Sequence, residues 1–137
     1  MTPNASLKAQ LATDVTAVSG RVYPVIGPSE PTYPFITYKL RRIAAESDLA
    51  DATGDESNGE IEVHAWSDDP DQVETVAESV YNSLHGFQGE LGGSGGINVR
   101  HIYFNEDEPD FGLPAGVADT EHGAFVNISF FDLLYDR

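Results

Sequence analysis

The stretch Glu60-Ile-Glu-Val-His-Ala-Trp-Ser-Asp-Asp-Pro70-Asp-Gln-Val-Glu-Thr-Val-Ala-Glu-Ser-Val80-Tyr-Asn-Ser-Leu-His-Gly86 changes its hydrophobic period once, and that change decides the fold class. At first Ile61, Val63 and Ala65 alternate with Glu60, Glu62, His64 and Trp66, a period of two that gives a strand one apolar face. Beyond Ser67 the period lengthens: Val73, Val76, Ala77, Val80, Tyr81 and Leu84 recur at steps of three and four, the stripe of an amphipathic helix. Asp68 and Asp69 can cap that helix and oppose its dipole, Pro70 suits its first turn, and Gly86 stops it, so the spacing predicts a helix over 70–85.

Outward from this stretch the same signals recur. Leu7, Leu11, Ala12, Val15 and Val18 stand three and four apart after Asn4 or Ser6 as caps and before Gly20, which predicts a first helix over 6–18. Arg21 to Val25 reads as a short strand. Pro24, Pro28, Pro31 and Pro34 then favour extended backbone poor in hydrogen bonds, a rigid connector. Phe35, Ile36, Thr37 and Tyr38 open a strand that runs to Ile43. Ala44 to Gly59 reads as an acidic loop at a long hairpin tip, and Gly89 to Gly96, with five glycines, as a native loop. Ile97 to Phe104 reads as a strand, residues 105–122 as a second acidic loop, and Gly123 to Tyr135 as the last strand.

That last strand is apolar on both parities, with Phe125, Phe131 and Leu133 on one and Val126, Ile128, Phe130 and Leu134 on the other. Burial on both sides is implied, either at the centre of a sheet or at a subunit contact. The expected architecture is α+β: a mostly antiparallel sheet of about five strands with two helices on one face. At 137 residues the chain fits a single domain over residues 1–137, and 40% hydrophobic residues suffice for a core.

Seven Lys and Arg against 23 Asp and Glu leave a formal charge of −16. Such a surface repels phosphate, and the one basic cluster, Lys39, Arg41 and Arg42, is too small to offset it, so no sequence-specific nucleic-acid binding is expected. The same surplus argues against anionic membranes and for partners with basic patches. Without cysteine there is no disulfide, no thiolate nucleophile and no sulfur-based zinc site. Neither a secretion signal nor an apolar run of membrane-spanning length is visible, so the cytoplasm is the expected place of synthesis.

Reactive chemistry finds no support in the residues. His64, His85, His101 and His122 match no metal-binding spacing; the first and third lie in strands, and His85 ends a helix where a cation is favoured. Glu106, Asp107, Glu108 and Asp110 lack the pattern of a calcium loop, and their pairing as catalytic carboxylates would need a pocket. The glycines of 89–96 follow a helix and precede a strand, the reverse of a phosphate loop, and no serine sits in a nucleophile elbow. We expect no catalytic residue, no metal site and no cofactor.

Several short pieces together resemble the tail-terminator and tail-completion family of long-tailed bacteriophages. They are the opening helix around Leu7 to Leu11, the step Gly20-Arg-Val-Tyr-Pro24, Pro34-Phe-Ile-Thr-Tyr38 at a strand start, Ile61-Glu-Val-His-Ala-Trp66 before a helix, and Val76-Ala-Glu-Ser-Val-Tyr-Asn-Ser-Leu-His-Gly-Phe87 ending it. The resemblance implies a structural protein without cofactor, usually a hexameric ring, that caps the tail tube and meets the head-to-tail connector protein in the virion. DNA would pass through such a ring, and an acidic lumen would discourage it from sticking. Another neck or head-closure component, or a small acidic binding domain or enzyme, stays open as an alternative. Tyr38, Trp66, Phe130 and Leu134 are the expected subunit contact. Phe111 and Leu113, apolar residues in an acidic loop, are the expected contact with the tail tube protein or the connector.

Overall fold

The alternation at Ile61, Val63 and Ala65 forms the middle of a 12-residue strand, β3 (Glu56–Ser67), which leads into helix α2 (Pro70–Leu84). The computed structural model of the chain describes residues 1–43, 56–105, 116–119 and 124–136. Before β3 come helix α1 (Pro3–Asp14), a single turn at Thr16–Val18, β1 (Val22–Pro24) and β2 (Phe35–Ile43); after α2 come β4 (Gly89–Glu90), β5 (Asn98–Phe104), β6 (Gly116–Asp119) and β7 (Ala124–Asp136). Among the described residues the sheet has seven strands in the order β1-β2-β3-β7-β5-β4, with β6 also on β7. β1 and β2 run parallel and every other pair antiparallel.

β7 is central: β3 pairs with it over twelve consecutive positions, from Glu56 opposite Asp136 to Ser67 opposite Phe125. Its double-sided apolar pattern therefore belongs to a strand flanked on both edges. In this register Ile61, Val63 and Ala65 share a face with Phe131 and Leu133, and β2 adds Ile36 and Tyr38 opposite Ala65 and Val63. Both helices cover that face: Leu7 and Leu11 of α1 and Val76, Val80 and Leu84 of α2 join the strand residues in one buried cluster. Each fully buried side chain of this size stabilises the fold by about 1.5–3 kcal/mol.

α2 starts as its sequence predicts, with the Asp69 carboxylate accepting from the Asp71 amide at 3.0 Å and Pro70 in the first turn. α1 starts earlier than expected, because the Thr2 hydroxyl accepts from the Ala5 amide at 3.1 Å and Pro3 follows it. Ser6 is no cap. It lies fully buried inside the helix, and its Oγ accepts from the Ile97 amide at 3.1 Å. Gln10 Oε1 likewise accepts from Gly92 N–H at 2.9 Å, and a Cβ on Gly92 would sit 2.6 Å from Ser6 O. The glycine-rich segment is thus a close-fitting clip on α1 with Leu91 buried beneath it, not a flexible loop.

Three further expectations need correction. The acidic loop placed at 44–59 ends by residue 56, since Glu56–Gly59 belong to β3; residues 44–55 lie outside the described residues. The loop placed at 105–122 contains β6 and the glycine segment contains β4, two short strands added to a sheet that is otherwise the mostly antiparallel one of about five strands expected. His85 acts as an acceptor, its Nδ1 taking the Phe104 amide hydrogen at 3.1 Å, which pins the end of α2 to β5.

Candidate functional site

The pleat that sends Ile61, Val63 and Ala65 beneath the helices sends Glu60, Glu62, His64 and Trp66 to the other side. No helix of the described residues covers that side. Across β2, β3 and β7 its side chains form rows: Phe35, Trp66 and Val126 in one, Thr37, His64 and Ile128 in the next, then Lys39, Glu62 and Phe130, then Arg41, Glu60 and Asp132. One end of the open face is aromatic and the other is charged. At the charged end opposite signs stand in register, and Arg41 reaches Glu60 at 2.7 Å. Lys39 and Arg41 offset two of the three carboxylates Glu60, Glu62 and Asp132, so this part of an acidic chain carries a formal excess of one negative charge.

At the aromatic end Phe35 and Trp66 stack with centroids 5.8 Å apart and planes 5° from parallel, and Trp66 Nε1 donates to Thr37 Oγ1 at 3.0 Å. The proline-rich segment folds over them. Tyr33 lies 5.6 Å from Phe35 between ring centroids, and Gly27 comes so near that a Cβ there would stand 2.8 Å from the Phe35 ring. Arg21 fastens the far end of the segment by donating from Nε to Pro34 O at 3.0 Å. Beneath it lies a hollow of about 450 Å³, walled by Val25, Ile26, Tyr33, Phe35, Trp66 and His64 among others. His64 Nε2 lies 2.7 Å from Glu62 Oε2.

The near end of the segment projects outward. Val25 is 64% exposed and Ile26 79%, and Val25 has a φ of 63°, a conformation that β-branched residues rarely adopt. Ile26 N–H donates to Pro24 O at 2.6 Å across it, closing a three-residue turn, while Val25 N–H is held by Tyr38 O at 2.8 Å.

The structure sets Trp66, Phe130 and Leu134 on this one open face, each half-buried. Tyr38 does not join them. It stands opposite Val63 in register, faces the helices at 4% exposure, and donates its hydroxyl to Asn4 O at 3.3 Å. Burial pushes the Tyr38 phenol above its usual range. Phe111 and Leu113 lie outside the described residues. Phe35, Tyr33 and the Val25–Ile26 tip went unremarked as site residues in the sequence, although the charge-free run Val22 to Ser29 was there to be seen. Among the described residues no cluster of His, Asp and Glu could hold a metal ion, and no buried side-chain polar atom lacks a partner. No helix among the described residues is long and apolar enough to cross a membrane. What this face offers chemically is apolar area and paired charge, the means of contact with another protein surface.

A family model described as Tail completion protein gp17 matches residues 5–113. Among curated proteins nothing matches. Seven chains of solved structures match, and one of them is similar with a TM-score of 0.49 and 16% identity, over 99% of this chain and 96% of its own.

Proposed function

The chain belongs to the Tail completion protein gp17 family, and from that membership we propose that it forms a ring, usually of six copies in such proteins, that caps the tail tube of a long-tailed phage and joins it to the head-side connector. Membership makes it a structural part of the phage tail; the ring, the head-proximal position and the named partners are our reading. The observation that carries the reading is the open sheet face. A central strand keeps Ile128, Phe130 and Leu134 only half-buried, on a side that no helix of the described residues covers. Tube subunits add head to tail, and such an interface grows without limit until a different surface covers it. A protein that works by covering needs contact faces, and this chain has one.

We assign Trp66, Phe130 and Leu134 to the contact between copies and leave Tyr38 to the core. Phe111 and Leu113 remain the proposed contact with the tube or connector. Electron microscopy of lysates made without the protein tests the role: filled heads, tails of uneven or excessive length and few joined particles are expected. Tails of normal length and joining would overturn it.

A further inference from the structure

Among the described residues Val25 and Ile26 rim the hollow beside Phe35 and Trp66, and no side chain of the core covers them. Neither side chain is buried, and the backbone at Val25 adopts a conformation that glycine would hold with less strain. Two hydrogen bonds, to Tyr38 O and across the turn to Pro24 O, keep it there. An exposed apolar pair presented on a strained, well-fastened turn is a surface prepared for something outside the chain.

Charge says what that something is. The run Val22 to Ser29 has no acidic or basic side chain, in a chain whose net charge is −16. A basic partner would be recognised by acidic surface, which this protein has in plenty; a charge-free tip adds nothing to such recognition. A second copy is different, because two chains of −16 approach each other with least repulsion where neither brings charge. The open face supplies the matching half: Ile128 and Phe130 lie half-buried beside Lys39, Arg41, Glu60, Glu62 and Asp132, a group one negative charge from balance and so nearly neutral in a chain of −16. Tip and row are different sets of side chains: the tip follows β1, whereas Ile128 and Phe130 stand on β7, with β2 and β3 between those two strands. A contact that repeats around a ring needs two such different patches on every copy.

We propose that the Val25–Ile26 tip of one copy seats on the Ile128 and Phe130 row of the next, as the knob of the repeating contact. This rests on the ring reading above and goes further by pairing its two halves. Sedimentation velocity on the purified full chain, across protein and salt concentration, tests it with two variants. Val25→Ser with Ile26→Ser removes the knob, and Phe130→Asp spoils the seat. Each is expected to raise the concentration needed for assembly by about 30-fold or more, with circular dichroism and melting of the tip variant unchanged. Mixed together they should form a one-to-one pair and nothing larger, since the mixture holds intact seats on one variant and intact knobs on the other. A tip variant that assembles like wild type overturns this inference alone, as does a mixture that stays as two monomers while wild type assembles. Normal self-assembly of the tip variant with loss of tail joining would give the tip to another protein and also overturn it. A wild-type chain that stays single at every concentration overturns both this and the ring.

Discussion

The two faces of the sheet share the same strands, yet they are finished to different degrees. Under the helices, Ile61, Phe131, Val76 and Leu84 lose all contact with solvent, and among the described residues every buried polar side-chain atom has its partner. One pleat away, Trp66, Ile128, Phe130 and Leu134 stop half-way, and the charges beside them, Arg41 bridged to Glu60 among them, keep contact with water. The first face needs nothing beyond this chain. The second carries apolar area beyond what folding uses, and a folded protein keeps such area where a second surface is to cover it. Stability and the proposed contact are therefore divided by side-chain parity along single strands, and a substitution's consequence should depend on whether its residue number is odd or even.

The strongest way to break this division is Val76→Asp, which puts a carboxylate without a partner at the centre of the helix-covered face. That costs several kcal/mol against a total of about 7 to 20 for a chain of this length, so loss of the cooperative thermal transition is expected. A melt within a degree or two of wild type would show that the α2 face does not carry the core. Phe130→Ser on the opposite face should cost about 1 kcal/mol, a modest drop in melting temperature, because only part of that ring is buried in the single chain. An equal loss of stability in the two variants would erase the distinction between the faces.

Tyr38→Phe sharpens the comparison at smallest cost, since it removes one hydroxyl and its 3.3 Å bond to Asn4 O, worth about 0.5–1.5 kcal/mol. It also has a pH signature. Burial raises the Tyr38 phenol, so the folded state holds that proton more tightly than the unfolded chain does. The associated stability is complete below the ordinary phenol value of about 10 and is lost as pH climbs from there through the raised value. Chemical denaturation at pH 8 and pH 11 should show the wild-type protein losing more stability than the phenylalanine variant; parallel losses would place the hydroxyl in solvent.

Local signals in the sequence carried α2, β2 and the parity of β7, because capping, period and β-branched runs act within a few residues. They failed where pairing came from afar. Glu56–Gly59 are polar and hold a glycine, so they read as loop, yet β7 runs alongside and draws them into the ladder up to Glu56 opposite Asp136. β4 and β6 are two and four residues long and exist only through their partners. Tyr38 shows the same limit at the candidate site. Its strand was legible, but which parity of β2 faces the helices depends on the register that sets Tyr38 against Val63 and Phe35 against Trp66. A slip of one residue would have exchanged them. Trp66, Phe130 and Leu134 share a side for the same reason: the β3–β7 register sets Trp66 opposite Val126, and a slip of one residue would have separated them. The Val25–Ile26 tip could not be weighed from sequence, because exposure and a positive φ are properties of the folded turn.

The stacking of Trp66 on Phe35 gives the protein an optical reporter. Trp66 is the sole tryptophan among 137 residues, and it sits half-buried on the open face with its indole nitrogen bonded to Thr37. Emission excited selectively at long wavelength therefore arises from that face and from nowhere else in the chain. Its colour reads the local polarity, and quenching by a dissolved collider reads its accessibility, with no label attached. Because cysteine is absent, a single one introduced elsewhere can take an acceptor dye without competition, which turns the same indole into one end of a molecular ruler.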